Sequence, residues 1–515
     1  MPAPGVRKET PDAAVTDLLP FGPGAWLFIG LYLLSLLFFG WFGYRARGEN
    51  TLRDFYIAGS GFGFLVLLLT LYATQYSGNT LFGFTGKTYR IGYAWLMSVH
   101  FMIAIVVFYA LFAIPLHRLS QRRAYVTPVD YLNDRYGSRA ISLIAAVVMV
   151  LAVTNFLLAQ LMAMGRAMQG LAGPHGDIAY RYGVIVLALI MVVYGTLGGL
   201  RAVAWSDVIQ GGVLMVGFVV LLGIMFYEFG PLSRATNIIL SLPDPAQARK
   251  ILPPSPELQR EWLSYILMVG MGASLYPQAI QRIYASRSEQ VLRRSMAVMT
   301  FLPFITALIA VVTGIYAIAH VPGLQGADSD QVLTRLLRLI QQESALGYWL
   351  VVLLFAAILS AIMSTADSAL LSISSMLTKD IYAGFINRTA VETDLTRLGK
   401  RLSWAIITLL VILAIALKEK ASLVSLLDRK FDILVQLVPA FMLGIHWDRL
   451  RPMPVLVGLI SGLVVALVLA FVPFDFVVGG KIAGMHPGLY ALALNLCIAV
   501  AGSLWSGQGV TPVPE

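Results

Sequence analysis

Apolar positions along the chain gather into thirteen runs, near residues 24–43, 62–84, 94–116, 140–171, 182–198, 205–229, 261–281, 296–319, 346–376, 402–417, 423–446, 453–472 and 487–505. An α-helix needs about 20 mostly apolar residues to cross a bilayer, and most runs are joined by short polar connections. The pattern predicts an all-α polytopic membrane protein, one transmembrane domain over residues 1–515 with thirteen membrane-spanning helices.

Three runs break the apolar pattern. The ninth contains LSAIMSTADSALLSISSMLTKDIY, residues 359–382. At 100° per residue, Ala361, Ser364, Thr365, Ser368, Ser372 and Ser375 share one helical face, with Asp367 at its edge. An acid at membrane depth is a functional-site candidate, because lipid gives it no partner. For Ser372 and Ser375, close helix packing explains the small hydroxyls equally well. The second run turns polar at Thr74, Gln75, Tyr76, Ser77, Gly78, Asn79 and Thr80. This predicts a helix break lining a cavity, the alternative being a buried polar face on an unbroken helix. The seventh holds Gly270, Gly272, Ser274 and Pro277, a second break signal. The two interruptions lie five spans apart and so mark two sets of five helices, 62–229 and 261–446. Helix 24–43 precedes them and 453–505 forms a peripheral pair. Corresponding breaks in two halves point to an inverted-repeat transporter with its site at mid-membrane.

Composition agrees, with 58% hydrophobic and 12% charged residues and a mean hydropathy of +0.78. The net charge of +10 does not indicate nucleic acid, since no soluble region is large enough to carry a basic face. It has a topological reading instead. Arginine and lysine clusters follow spans one, three, seven (Arg282, Arg287, Arg293, Arg294), nine and eleven. The positive-inside rule makes those loops cytoplasmic and puts the N-terminus outside and the C-terminus inside. The expected location is a plasma membrane, the bacterial inner membrane. No removable signal peptide is expected in the first 23 residues. Cys497 reads as a small packing residue. The six histidines are scattered and no nucleophile is paired with a base, so an enzyme is not expected.

Other polar positions stay open on sequence alone. Asp207 either pairs locally with Arg201 or faces the bundle as part of an ion path. Asp428, Arg429, Lys430 and Asp432 either form interfacial salt bridges or bring Arg429 or Lys430 to an anionic substrate. The connector PLHRLSQRRAYVTPVDYLNDRYGSRA reads as a solvated surface helix with a turn at Pro128.

The segments FGFTGKTYRIG, GGLRAVAWSDVIQGGVLM and AIMSTADSALLSISSMLTKDIY resemble the sodium/solute symporter family, which includes proline, pantothenate, acetate and sugar symporters; the likeness runs from about Gly24 to Trp505. It implies a leucine-transporter-type 5+5 inverted repeat with two broken helices and one extra N-terminal helix. It also implies Na+ as coupling ion, held by the carbonyls of Ala73, Tyr76 and Ala361 and the hydroxyls of Ser364 and Thr365. Oxygen donors of this kind suit a hard cation. Some relatives hold a second ion at positions that here are Asp207, Ser364, Asp367 and Ser368. Asp367 departs from the hydroxyl expected there, so two carboxylates near one site either bind a cation more tightly or share a proton.

The implied substrate site lies between the broken helices, lined by Ser77, Thr80, Val99 to Met102, Gly272 to Tyr276 and the outer part of the eleventh span, including Arg429. Sugar-contact positions of the family are here Thr80, Val99 and Val269, which lack an acid or amides, so a sugar is disfavoured. Pro277 resembles the carboxylate and amino-acid branches. The resulting expectation is sodium-coupled symport of a small polar solute, an organic anion or amino acid, by a protein for which a monomer suffices. The alternatives are proton-coupled symport and a non-transporting ligand sensor. A sensor would be expected to carry an appended signalling domain, and only ten residues follow the last span.

Overall fold

The computed structural model describes residues 20–46, 51–171, 176–325, 329, 331–418 and 430–505. Its helices are α1 (Pro23–Arg45), α2 (Leu52–Ile57), α3 (Phe64–Gln75), α4 (Gly78–Ile91), α5 (Met97–Arg123), α6 (Pro128–Tyr136), α7 (Arg139–Gln169), α8 (Gly176–Phe229), α9 (Leu232–Leu240) and α10 (Pro245–Ala248). They continue with α11 (Pro256–Ser274), α12 (Pro277–Ala285), α13 (Glu289–Met299), α14 (Leu302–His320), α15 (Val332–Glu343), α16 (Ala345–Ser375), α17 (Glu392–Ala416), α18 (Pro452–Phe471) and α19 (Pro487–Trp505). A two-residue β-ladder, Val477–Val478 against Lys481–Ile482, lies between the last two helices. Among the described residues nine helical stretches are long and apolar enough to cross a membrane, or ten if the bent pair α11 and α12 is one span. Two expected spans, 182–198 and 205–229, lie in the single 54-residue α8, which bends at Gly199 with φ +62°. A side chain there would be strained and would meet the Phe55 carbonyl, so only glycine suits the bend. Residues 423–429 of the expected span 423–446 fall outside the described residues.

α16 is the axis of the bundle. Every residue from Leu354 to Ser375 is buried, and α16 packs against α3, α4, α7, α8, α12, α15 and α17. Around it the outer helices show a lipid face and a packing face. In α1 the buried positions Ala25, Ile29, Tyr32, Leu36, Gly40 and Gly43 follow a helical stripe. Trp26, Leu27, Leu31, Leu34 and Phe38 on the opposite side are exposed. α18 and α19 pack chiefly on each other at the periphery, where Cys497, expected as a small packing residue, is exposed.

Both expected breaks are present. α3 ends at Gln75, Tyr76 is extended (φ −101°, ψ 106°) and α4 resumes at Gly78. A Cβ on Gly78 would collide with Ile362 of α16, so this break lies against the central helix. α11 and α12 meet at 52°. Pro277 is the first residue of α12, where its missing N–H costs no hydrogen bond. The connector expected to be a solvated surface helix is wedged into the protein as α6. Its Tyr131, Leu132 and Arg135 are buried, and Arg135 donates to the carbonyls of Gly444, Trp447, Asp448 and Leu450.

Candidate functional site

The α3 break leaves carbonyls without helical partners, and α16 supplies hydroxyls facing them. Ser364 Oγ donates to the Ala73 carbonyl at 3.0 Å, and Thr365 Oγ1 lies 3.3 Å from the same oxygen. Both hydroxyls also reach back to the Ala361 carbonyl, at 3.4 and 3.0 Å. Four of the five residues implied as sodium ligands therefore meet in one buried cluster made only of neutral oxygens. Tyr76, the fifth, is buried at the break, its ring 4.8 Å from that of Tyr72.

A second cluster lies further along α16. Asp207 of α8 accepts from Thr70 of α3 and from Arg282 of α12, the latter at 3.3 Å. Arg282 Nη2 also donates to Ser368 Oγ at 2.5 Å, and its Nε to Thr70 Oγ1 at 3.2 Å. Asp367 accepts from Tyr194 OH at 2.5 Å and from Ser368 Oγ at 3.3 Å. Asp207 and Arg282 are both 0% exposed. Asp207 thus faces the bundle, while Arg201 pairs with Asp54 at 2.9 Å. The clusters touch through Thr74 Oγ1, 3.4 Å from Ser368 Oγ.

Arg282, grouped on sequence with loop arginines, is instead a buried partner of the acid. The available signal was its distance from the break. It lies five residues past Pro277, which at 1.5 Å per residue is about 7.5 Å, too short to reach an interface from mid-membrane.

A cavity opens between the two breaks. Of the expected substrate residues, Ser77, Thr80, Met102 and Tyr276 line it. Gly272 backs its wall, close enough that a Cβ would press on Phe431 at 3.0 Å. Val99 is buried in α5 without lining the cavity, and Arg429 lies outside the described residues. Lys87, Phe156 and Tyr265 also line it and carried no sequence signal apart from the cavity that tertiary packing makes. Lys430 and Asp432, for which interfacial salt bridges were one expectation, are buried, at 2% and 5% exposure. Lys430 lines the cavity. Asp432 Oδ1 accepts from the Gly488 N–H at the start of α19, at 2.8 Å.

Residues 55–462 match the model of the sodium:solute symporter family. The chain belongs to that family. It is 24% identical to the osmoregulated proline transporter OpuE of Bacillus subtilis (strain 168), over 85% of this chain and 87% of that one. It is 26% identical to the sodium/pantothenate symporter of Escherichia coli (strain K12), over 94% and 96%. Its fold is similar to that of a substrate-bound, outward-open Na+-coupled sialic acid symporter, with a TM-score of 0.79 at 18% identity, covering 96% of this chain and all of the other. This sodium:solute symporter is a multi-pass membrane transporter of the leucine-transporter type, with Na+ as its coupling ion and a small solute as cargo.

Proposed function

We propose that this symporter accumulates a small organic anion or amino acid, driven by inward movement of Na+. Residues 62–229 and 261–446 act as two inverted repeats that alternate access around a mid-membrane site. In this reading thirteen spans place the N-terminus outside and the C-terminus in the cytoplasm of a bacterial plasma membrane, and one protomer suffices. The observation that carries the proposal is the convergence of Ser364 and Thr365 hydroxyls on the Ala73 carbonyl at the α3 break. Sodium needs oxygen ligands that replace its hydration shell without deprotonation, and hydroxyls and freed carbonyls supply them. We assign the ion to Ala73, Tyr76, Ala361, Ser364 and Thr365. The same broken helix contributes Ser77 to the solute cavity, so an ion that ties α3 to α16 also shapes the solute site. Linkage makes this coupling reciprocal, each ligand raising the affinity for the other.

The second cluster supports an additional reading. Asp207 and Asp367 face one guanidinium, that of Arg282, and one carboxylate charge is left over. A second cation or a proton shared with Asp367 and Ser368 would neutralise it. The proteoliposome experiment separates these cases: solute uptake is followed under an inward Na+ gradient, then under an inward proton gradient without Na+. Accumulation driven by Na+ is expected. Accumulation by the proton gradient alone would replace sodium coupling with proton coupling, and binding without uptake under either gradient would point to a ligand sensor.

A further inference from the structure

α19 is peripheral along most of its length, but its first turns and the hairpin before it are tied to two walls of the cavity. The ladder of Val477–Val478 with Lys481–Ile482 is too short to hold a position by itself, and its docking goes to α11. Lys481 pairs with Glu261, and Arg260 Nε donates to the Ala483 carbonyl at 2.7 Å. Gly484, at φ +86°, comes so close that a Cβ would lie 2.9 Å from the Glu257 carbonyl oxygen. His486 completes the contact. Its backbone N–H donates to Ser264 Oγ at 2.8 Å, and the same hydroxyl lies 2.7 Å from its Nδ1. Its ring packs edge-on against Tyr265, with centroids 4.5 Å apart and planes 71° apart. Tyr265 lines the cavity and stacks there on Phe101.

The residues that follow hold a second wall, the segment that carries the cavity-lining Phe431. The Gly488 N–H donates to Asp432 Oδ1, Gln436 Nε2 to the Gly488 carbonyl at 2.9 Å, and Asn495 Nδ2 to the Gln436 carbonyl at 2.8 Å. A Cβ on Gly488 would lie 2.6 Å from the Asp432 Cα, so only glycine permits this approach. Ser264, Gln436, His486 and Asn495 are all buried.

We infer that residues 481–495 are a clasp that yokes α11 to the Phe431 segment and so sets how far the solute cavity opens at Tyr265 and Phe431, with His486 and Gln436 as its positioning residues. Neither is among the described lining residues. His486 acts through Tyr265, and Gln436 acts through the chain that carries Phe431. The inference rests on the symport reading above, in which the cavity opens and closes in each cycle, and it adds the contacts that bias that step. A hydrogen bond made only in the clasped arrangement shifts the balance between closed and open by its own free energy. Losing one such bond favours the open arrangement by about fivefold.

The test reads the opening directly and needs no solute. In the full-length protein purified in detergent, Cys497→Ser removes the only cysteine, and Thr80→Cys places one on the cavity wall, on a helix outside the clasp. Its labelling rate is measured with a small methanethiosulfonate reagent and with the bulkier fluorescein maleimide, in NaCl and in choline chloride of equal ionic strength. His486→Ala and Ser264→Ala break the same bond from its two sides, and each is expected to raise the rate about fivefold, more for the bulky reagent than for the small one. Gln436→Leu, which frees the second wall, is expected to do the same. His486→Asn, whose side-chain amide oxygen stands in for Nδ1, is expected to keep the parent rate. A cysteine placed instead at Ala145, buried in α7, reports general loosening and should stay unlabelled in every variant. If His486→Ala does not fold, Ser264→Ala and Gln436→Leu carry the same test. Unchanged labelling at position 80 in the folded variants, or a rise at position 145 that matches it, would overturn the inference. Labelling that is equal in NaCl and choline chloride throughout would instead count against the sodium-coupled reading and leave the clasp standing.

Discussion

Two buried clusters sit within two turns of each other on α16, and they are built from opposite materials. Ala361, Ser364 and Thr365 meet Ala73 through hydroxyls and carbonyls that carry no formal charge. Asp367, Ser368, Asp207, Arg282, Thr70 and Tyr194 form a network that joins two carboxyl groups and a guanidinium through hydroxyls. A cation held only by dipoles in a dry site is released without separating a buried ion pair, which suits an ion that must leave each cycle. The second cluster already contains a cation, the guanidinium of Arg282, tethered to α12. Separating it from Asp207 would expose buried charge to low dielectric. With the ion placed as proposed, the difference fits exchange at the first cluster and cohesion of α3, α8, α12 and α16 at the second. α3 belongs to both, through Ala73 on one side and Thr70 on the other.

The sharpest way to break this contrast is to remove the tethered cation. Arg282→Met leaves Asp207 and Asp367 buried with no counter-charge, and breaking a buried pair in this way costs about 3–5 kcal/mol. A large fall in the thermal unfolding midpoint in detergent is expected. Adding Asp207→Asn returns the cluster to its original net charge and should recover a good part of the loss. A single variant as stable as the parent would mean that the charges are not what joins these helices.

A smaller effect on stability, but a large one on ion affinity, is expected at the neutral cluster. The double substitution Ser364→Ala with Thr365→Ala removes two of the proposed ion ligands, hydroxyls whose net hydrogen-bond contribution is about 1 kcal/mol each. Folding should survive. The sodium concentration that half-saturates uptake should rise tenfold or more, since about 1.4 kcal/mol of lost ion binding is already a factor of ten. An unchanged sodium requirement would move the ion elsewhere. Arg282→Met and this double variant should therefore differ in kind, one failing in stability and the other in sodium dependence.

How much of this was legible in the sequence follows from what each signal costs. Polar residues at membrane depth are expensive enough to stand out, so the α3 break, the Pro277 break and the hydroxyl face of α16 could be read directly. Arg282 could not be told from loop arginines by composition, because a charge count ignores where a helix places its side chains. Its pairing with Asp207 depends on α12 meeting α8, which only the tertiary fold supplies. Lys430 was ambiguous because the same run DRKFD serves an interfacial ion cluster or a cavity equally well. α6 misled for a related reason: its charges suggested solvent, yet Arg135 spends its donors on buried carbonyls. The span count was blurred where α8 bends without a polar loop.

The smallest effect tests the end of the hydroxyl face, where sequence left packing and an ion exit path equally open. Ser372 Oγ donates to Gln281 Oε1 at 2.6 Å, and Gln281 Nε2 donates to Ser375 Oγ at 2.8 Å. These hydroxyls hold α12 against α16 directly beside Arg282, so they extend the cohesive cluster. Ser372→Ala is expected to cost about 1 kcal/mol, because it leaves one amide oxygen of Gln281 without its donor. Sodium affinity for uptake should not change, since Ser372 is two turns from Ser364 and touches none of the proposed ion ligands. If uptake slowed while stability and sodium affinity held, the hydroxyl would belong to the path of the departing ion, and the boundary between exchange and cohesion would have to be redrawn through α16 at Ser368.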